Sequence, residues 1–507
     1  MNPQTYLRAH NAVAFPRTDI PLLPFAEFKN NLKKSIQTQG RLAALVGREA
    51  EHDRIRLLAV IARDAAGELF LFETEVGEEY PSFTPDLPQA QGFERELAEQ
   101  WGVVPFGHPW LKPLRFQRSA RGKHDAWGRD PLQVPVPDER DFFHVLGAEI
   151  HEVAVGPVHA GVIEPGHFRF QCHGERVLHL EISLGYQHRG LEAKLISGPD
   201  RRTLHYLETA AGDTTIGHTL AYCQAVEALA GQPVPARAQA WRALALELER
   251  LANHTGDLGA LAGDVGYLPT AAFCGRLRGD FLNLTAMLCG NRFGRGWVRP
   301  GGVTGDLSPR QIAEFTQKLS ATFKDTAQAV NLLWKTPSVL GRFESTGPLA
   351  PEICASLGLV GPAARACGLE RDVRSNFPTG RYAVTPISHA SWPTGDVFSR
   401  AYVRWLEIQR SVAFIRELLP SLPGGALRTE PVPLRPGLAV VSLVEGWRGE
   451  ICHVVATDAQ GRFLQYKLVD PSFHNWMGLA QAMRDQQISD FPLCNKSFNL
   501  SYCGHDL

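Results

Sequence analysis

No two of the nine cysteines are spaced as a CxxC pair. They stand at Cys172, Cys223, Cys274, Cys289, Cys354, Cys367, Cys452, Cys494 and Cys503. An odd, scattered set reads as free thiols, most of them small buried apolar groups, and argues against a disulfide framework. Neither sign of charge is in excess: 52 Lys and Arg stand against 53 Asp and Glu, a net charge of -1. That leaves no basic field to hold a polyanion, so nucleic acid is set aside as a partner. No apolar run approaches the roughly 18 residues needed to span a bilayer. The opening MNPQTYLRAHNAVAFPRTDIP lacks the basic-then-apolar layout of a signal peptide. The expectation is a cytoplasmic chain that reaches a membrane only through partner subunits. Internal repeats and low-complexity tracts are missing too.

What is present is concentrated between Val155 and His218. His159, His167, His173, His179, His188 and His218 crowd this stretch, in a chain with 18 histidines among 507 residues. Phe168, Phe170 and Cys172, then Val177, His179 and Glu181, alternate about the turn His173-Gly174-Glu175, which predicts a β-hairpin with the loop from Gly156 to His167 held at its mouth. From Leu191 the pattern turns helical, so Arg189, Gly190 and Glu192 fall where strand gives way to helix. Such junctions let a rigid element aim polar side chains.

At this length roughly two to four domains are expected. A first α+β unit reads as a helix near Phe25 to Ile36, strands at Leu42 to Val46, Ile55 to Ile61 and Glu68 to Phe72, and a helix from Gly92 to Gln100. Residues 117–141, rich in Arg, Asp and Pro, read as a linker. Helices then dominate: one carries Leu244, Leu248 and Leu251 on one face, one is capped by Ser308 with Pro309 at its first position, and one runs from Val397 to Leu419. Strands return at Leu438 to Val444, Cys452 to Ala456 and Phe463 to Leu468, ahead of a last helix from Trp476 to Met483.

Five motifs stand in order: HEVAVGPVHAGVIEPGHFRF, GYQHRGLEAKL, ELERLANHTGDLGAL, RPGGV at Arg299 to Val303 and DPSFHNW at Asp470 to Trp476. Together they resemble the large subunit of group 4, energy-converting membrane-bound nickel-iron hydrogenases and its relative, the quinone-site peripheral subunit of complex I. Ahead of them FEREL, WG and FGHPWLKPLR, from Phe93 to Arg115, resemble the small peripheral complex I subunit often fused in front. The resemblance implies an α+β fold with three parts: a small domain over 1–116, a linker over 117–141, and a large-subunit-like domain over 142–507. Within the last, a β-hairpin precedes a central helical bundle and a C-terminal β-containing segment.

In the hydrogenases two cysteine pairs hold nickel and iron, soft thiolates at CxxC spacing clasping the metal. By resemblance, Ala211 and Thr214 stand where the first pair belongs, and Ser501 and Gly504 where the second does. All four sulfur ligands are missing, so the nickel-iron centre is expected to be absent. Cys494 and Cys503 are nine residues apart with no partner pair. For the quinone relatives, the resemblance offers His159 or His167 as the histidine at the quinone head and Asp264 as the aspartate behind it. The tyrosine position falls near Gly212, with Tyr206 or Tyr222 as substitutes.

Each candidate also has a structural reading. His159 and His167 are proton donors or quinone contacts, or satisfied loop histidines; imidazole suits proton traffic near neutral pH. His218 is a retained site residue or a packing one. Arg189 and Glu192 form an internal ion pair or a proton relay. Glu164, one residue out of register with the hydrogenase glutamate, is a proton-transfer candidate. Asp213, Thr214 and Thr215 are either a polar patch filling the space the metal left or a helix N-cap run, the cap being the favoured reading.

The function implied is that of a metal-free large-subunit homologue in a membrane-associated oxidoreductase complex. It would pack on an iron-sulfur small subunit, lie peripherally on the inner face of the cell membrane, and couple electron transfer to an ion-translocating membrane arm. The alternatives are an active NAD(P)H- or quinone-linked subunit using the remodelled cavity, and a purely structural coupling subunit.

Overall fold

A computed structural model describes residues 5–137 and 141–507. The N-terminal unit folds as expected in kind. Helix α1 (Phe25–Gln37) buries Phe28 and Leu32 against strands β1 (Arg41–Glu49), β2 (Ile55–Arg63) and β3 (Glu68–Val76), which form an antiparallel meander edged by a short strand at Leu7–Ala9. Helix α2 (Gln91–Trp101) follows and stops at Gly102, whose φ of 66° gives the left-handed C-cap that glycine adopts without strain.

This unit does not stand apart. Phe15–Pro16 pairs with a strand of the C-terminal sheet, and one apolar core joins Leu42, Leu57, Phe72 and Phe93 to Val441, Val454 and Phe473. The first half of the expected linker is tied to this unit as well. The Ala120 N–H donates to the Gln100 carbonyl at 2.8 Å, and Arg129 pairs with Glu99 at 2.9 Å. Residues 138–140, near its end, lie outside the described residues.

The predicted hairpin is present as β5 (His167–His173) and β6 (Arg176–Ser183), with β4 (Ile150–Val155) added to β5 as a third antiparallel strand. The chain then passes through α3 (Leu191–Leu195) into a bundle of α4 (Thr215–Ala230), α5 (Ala236–Asp264), α6 (Leu268–Cys289), α7 (Pro309–Trp334) and α8 (Val397–Leu418). Helix α7 starts where Ser308 and Gln311 form a reciprocal capping box with Pro309 at the first helical position.

Strands β7 (Leu438–Gly446), β8 (Gly449–Thr457) and β9 (Phe463–Val469) form the C-terminal sheet, packed between α4 and the N-terminal unit. Helix α9 (Pro471–Ala482) begins five residues before the Trp476 expected from sequence, because Asp470 caps it and Pro471 fits its first position. Helices α10 (Phe491–Phe498) and α11 (Tyr502–Asp506) end the chain.

Candidate functional site

The candidate cleft is the place where the turn into α4 meets the C-terminal turn around α11. Arg189 fastens one to the other: its guanidinium donates to the carbonyls of Thr209 at 2.6 Å, Ala210 at 2.9 Å and Cys503 at 3.1 Å. Its own N–H reaches the Leu507 carbonyl at 2.9 Å. Arg189 therefore does not pair with Glu192, as one reading of the sequence had it. Glu192 points the other way, to Lys467 at 2.9 Å and the Leu468 N–H at 2.9 Å.

Glu164 reaches the same C-terminal turn from the loop ahead of β5, accepting from the Cys503 N–H at 3.2 Å and the Gln187 amide at 2.7 Å. His159, in that loop, is exposed and takes the Gly161 N–H on Nδ1 at 2.9 Å. His167 is buried, stacked on Phe142 at 5.0 Å, with Nδ1 3.3 Å from the Gly156 carbonyl.

At the four positions where the resemblance expects metal ligands, the side chains have other work or no room. Ala211 is buried and apolar. The Thr214 hydroxyl donates to Asp213 at 3.3 Å. Ser501 caps α11, its Oγ accepting the Gly504 N–H at 2.9 Å. A Cβ added at Gly504 would lie 2.8 Å from the Asp470 carboxylate and 2.9 Å from Ser501 Oγ, so a thiol there would have to displace a buried acid. Among the described residues no group of three or more His, Cys, Asp and Glu side chains is placed to hold a metal ion. Cys494 and Cys503 do not converge: Cys494 is buried beside Gly347 and Arg400, whereas the Cys503 thiol lies 3.4 Å from Ser501 Oγ. Hydroxyl, methyl and hydrogen do not fit a nickel-iron centre.

Asp470 is one of the residues the sequence reading missed. Only 1% exposed, it caps α9 through the Ser472 N–H at 2.8 Å and takes His218 Nε2 at 3.0 Å. His218 Nδ1 lies 3.4 Å from His453 Nε2, and His453 Nδ1 lies 2.8 Å from the Tyr466 hydroxyl. His218 is thus a member of a buried hydrogen-bonded row rather than a packing residue. Burial, with His218 alongside, holds the His453 imidazole well below its ordinary pKa. Tyr222 lies at the far end of this row, beside Tyr466, and not in the cleft.

The N-cap run at Asp213 to Thr215 is also corrected. No side chain there caps α4. The capping carboxylate comes from Glu249 of α5, which accepts from the Ile216 N–H at 2.7 Å and the Gly217 N–H at 3.1 Å. Burial pushes the Glu249 carboxyl up to about 8; the two amides and Arg250 oppose the rise, and Asp213 adds to it. Asp213 is held by Arg448 at 2.8 Å, and its carbonyl accepts from Asn253 and Trp447, both at 3.0 Å. Arg448 also donates to the Asn499 carbonyl at 2.6 Å.

Asp264, expected behind the histidine, closes α5 at the surface and is exposed. Asp257, two turns earlier, is the aspartate turned inward, bound to Arg404 at 2.7 Å and to the Asn499 amide at 2.6 Å. At Gly212 an added Cβ would meet nothing within 4 Å, and the residue is exposed. Gly212 is thus the solvent-facing edge of the candidate site.

Residues 264–435 match the family described as "Respiratory-chain NADH dehydrogenase, 49 Kd subunit". The chain is 30% identical over 433 residues to formate hydrogenlyase subunit 5 of Escherichia coli (strain K12), covering 84% of this chain and 76% of that protein. It is 32% identical over 352 residues to the carbon monoxide-induced hydrogenase of Rhodospirillum rubrum, covering 69% and 97%. To NADH-quinone oxidoreductase subunit 4 of Thermus thermophilus it is 28% identical over 387 residues, covering 71% and 94%.

Proposed function

The chain belongs to the family that joins hydrogenase large subunits to the 49 kDa subunit of respiratory-chain NADH dehydrogenase, and from that premise we propose that it works without a nickel-iron centre, as the proton-handling large subunit of a membrane-associated oxidoreductase complex. The observation that carries this reading is Asp470: its carboxylate, fixed by His218 and the Ser472 amide, lies against Gly504 where a ligand side chain would begin. A site remade around hydrogen-bonded acids suits proton traffic rather than metal binding.

In this proposal an iron-sulfur small subunit docks over the opening at Gly212, and residues 1–116 are the fused small peripheral subunit, joined by 117–141 to the large-subunit part over 142–507. An electron arriving on the partner's cluster raises the proton affinity of nearby carboxylates by Coulomb attraction. Glu249, poised near neutrality, and Glu164, between the loop and the C-terminal turn, are the groups to take up that proton. Membrane-arm subunits would carry the ion movement, since no helix among the described residues is long and apolar enough to cross a membrane.

The test is elemental analysis of the purified complex together with assays of hydrogen evolution and quinone reduction. The expected result is nickel far below one atom per chain and no hydrogen evolution. Stoichiometric nickel in this subunit would overturn the reading. Quinone reduction lost on altering His167 would move it to the quinone-linked alternative.

A further inference from the structure

On the opposite side of the C-terminal turn from the cleft, a cavity of about 290 Å³ lies between the N-terminal unit, strand β6 and helix α9. Its walls are aromatic and aliphatic: Trp110, Phe143, Phe473 and Trp476, with Leu180 and Met477. The charge of its lining has one sign. Arg95 and Arg484 line it, with His179 and His505, whose imidazoles burial holds below their ordinary pKa, and no Asp or Glu does.

Arg95 is the unusual member. It is 6% exposed, with Nε donating to the Lys112 carbonyl at 2.8 Å and Nη2 to the Pro113 carbonyl at 2.8 Å. Its guanidinium stacks on Trp110, 4.3 Å from the ring centre. Among the described residues no carboxylate pairs with it. The buried guanidiniums of Arg41, Arg242 and Arg404, by contrast, meet carboxylates at 3.1, 2.6 and 2.7 Å. Burial pushes the Arg95 guanidinium down to about 10, with Glu99 and Glu181 acting only from a distance. Glu181, the nearest acid on β6, is already bound by Lys112 at 2.9 Å and Trp110 Nε1 at 3.2 Å. A buried cation without a counter-ion is costly, and here it borders an empty apolar space. Gln91 Oε1, on another lining residue, is buried without a hydrogen-bond partner.

We propose that this cavity binds a small organic monoanion with a flat apolar body, an aryl carboxylate, whose carboxylate meets Arg95 and whose ring lies among Trp110, Phe473 and Trp476. The volume is at the lower end for small-molecule sites and suits one or two fused rings. Because His505 lines the cavity while Ser501, Cys503 and Gly504 border the cleft, the ligand would sit behind the same turn.

The probe is 2-naphthoate, titrated into the full chain by calorimetry and followed by quenching of tryptophan emission. Saturable binding to a single site is expected, roughly tenfold or more tighter than for the neutral 2-naphthalenemethanol, since a charge-assisted contact is lost. Arg95→Gln should weaken binding roughly tenfold or more, and Ala480→Phe, which fills the space, should abolish it. Should Arg95→Gln fail to fold, the Ala480→Phe result and a several-fold loss in the exposed rim variant Arg484→Gln carry the same decision. No saturable heat, equal binding of the alcohol, or binding indifferent to these variants would overturn the proposal. Octanoate binding more tightly than 2-naphthoate would overturn the aryl assignment. None of these outcomes depends on the metal content of the cleft.

Discussion

Two glutamates, the half-buried Glu192 and the buried Glu249, show how differently one chain treats the same group. At the junction with the N-terminal unit, burial alone would raise Glu192, but Lys467 and Arg115 bring it below its ordinary value. Lys467 is shared between Glu192 and Glu96, and Glu96 also meets Arg115. In the cleft Glu249 has two backbone amides instead of a cation in contact, and its carboxyl rises to about 8. The first arrangement fixes charge and holds segments together. The second leaves Glu249 able to keep its proton near neutral pH. Opposite charges hold Glu192 ionised, whereas amides alone do not offset the burial of Glu249.

The largest expected effect breaks the junction. Lys467→Ala leaves the buried Glu96 and the half-buried Glu192 with Arg115 as their remaining cation, and should cost about 3–5 kcal/mol, read as a shift in the denaturant midpoint. A loss below about 1 kcal/mol would mean that the junction is wetter than its 3% exposed lysine implies.

In the cleft the comparison becomes a pH dependence. The folded chain holds the Glu249 proton up to about pH 8 and the unfolded chain releases it near 4.5. The stability contributed by the protonated form is therefore complete below the lower value and drains away as pH rises to the upper one, by ~1.4 kcal/mol per pH unit at most. Glu249→Gln should flatten that part of the profile between pH 5 and 8 when stabilities of variant and parent are measured side by side. Parallel profiles would place Glu249 in the same class as Glu192.

Gly504→Cys sharpens the contrast from the other direction, by placing a sulfur where the resemblance expects a ligand. The added atoms meet the Asp470 carboxylate, and overpacking of this kind costs about 1–3 kcal/mol. A variant as stable as the parent, and able to take up nickel once Ala211, Thr214 and Ser501 are also made cysteine, would show that Asp470 yields its place.

Much of the fold was legible because its signals are local. The Ser308 cap, the turn at His173 to Glu175 and the strand-like apolar runs of β7 to β9 each lie within a few residues of what they specify. The family motifs also led to the turns at 211–214 and 501–504. Contacts across the fold were not legible. Glu249 caps a helix that begins more than thirty residues before it in the chain, so the Asp213 to Thr215 run looked like its own cap. Arg189 and Glu192 sit three residues apart and face different partners, because the turn at Gly190, with φ of 69°, separates them. Asp470 opens the motif DPSFHNW, but nothing local to that motif announces the histidine that it meets.

The smallest expected effect concerns Asp257 and Asp264. Seven residues apart on α5, they share nearly one helix face, so periodicity alone cannot tell them apart. They differ by about 10 Å along the axis, and over that distance the helix emerges from the bundle, leaving Asp257 4% exposed and Asp264 at the surface. Asp264→Asn should therefore shift stability by no more than about 0.5 kcal/mol and leave quinone or proton assays unchanged. Asp257→Asn, which strips a buried Arg404 of its carboxylate, serves as the internal standard and should be severely destabilised. If the two variants changed stability equally, the placement of the helix end, and with it the depth of the cleft, would have to be redrawn.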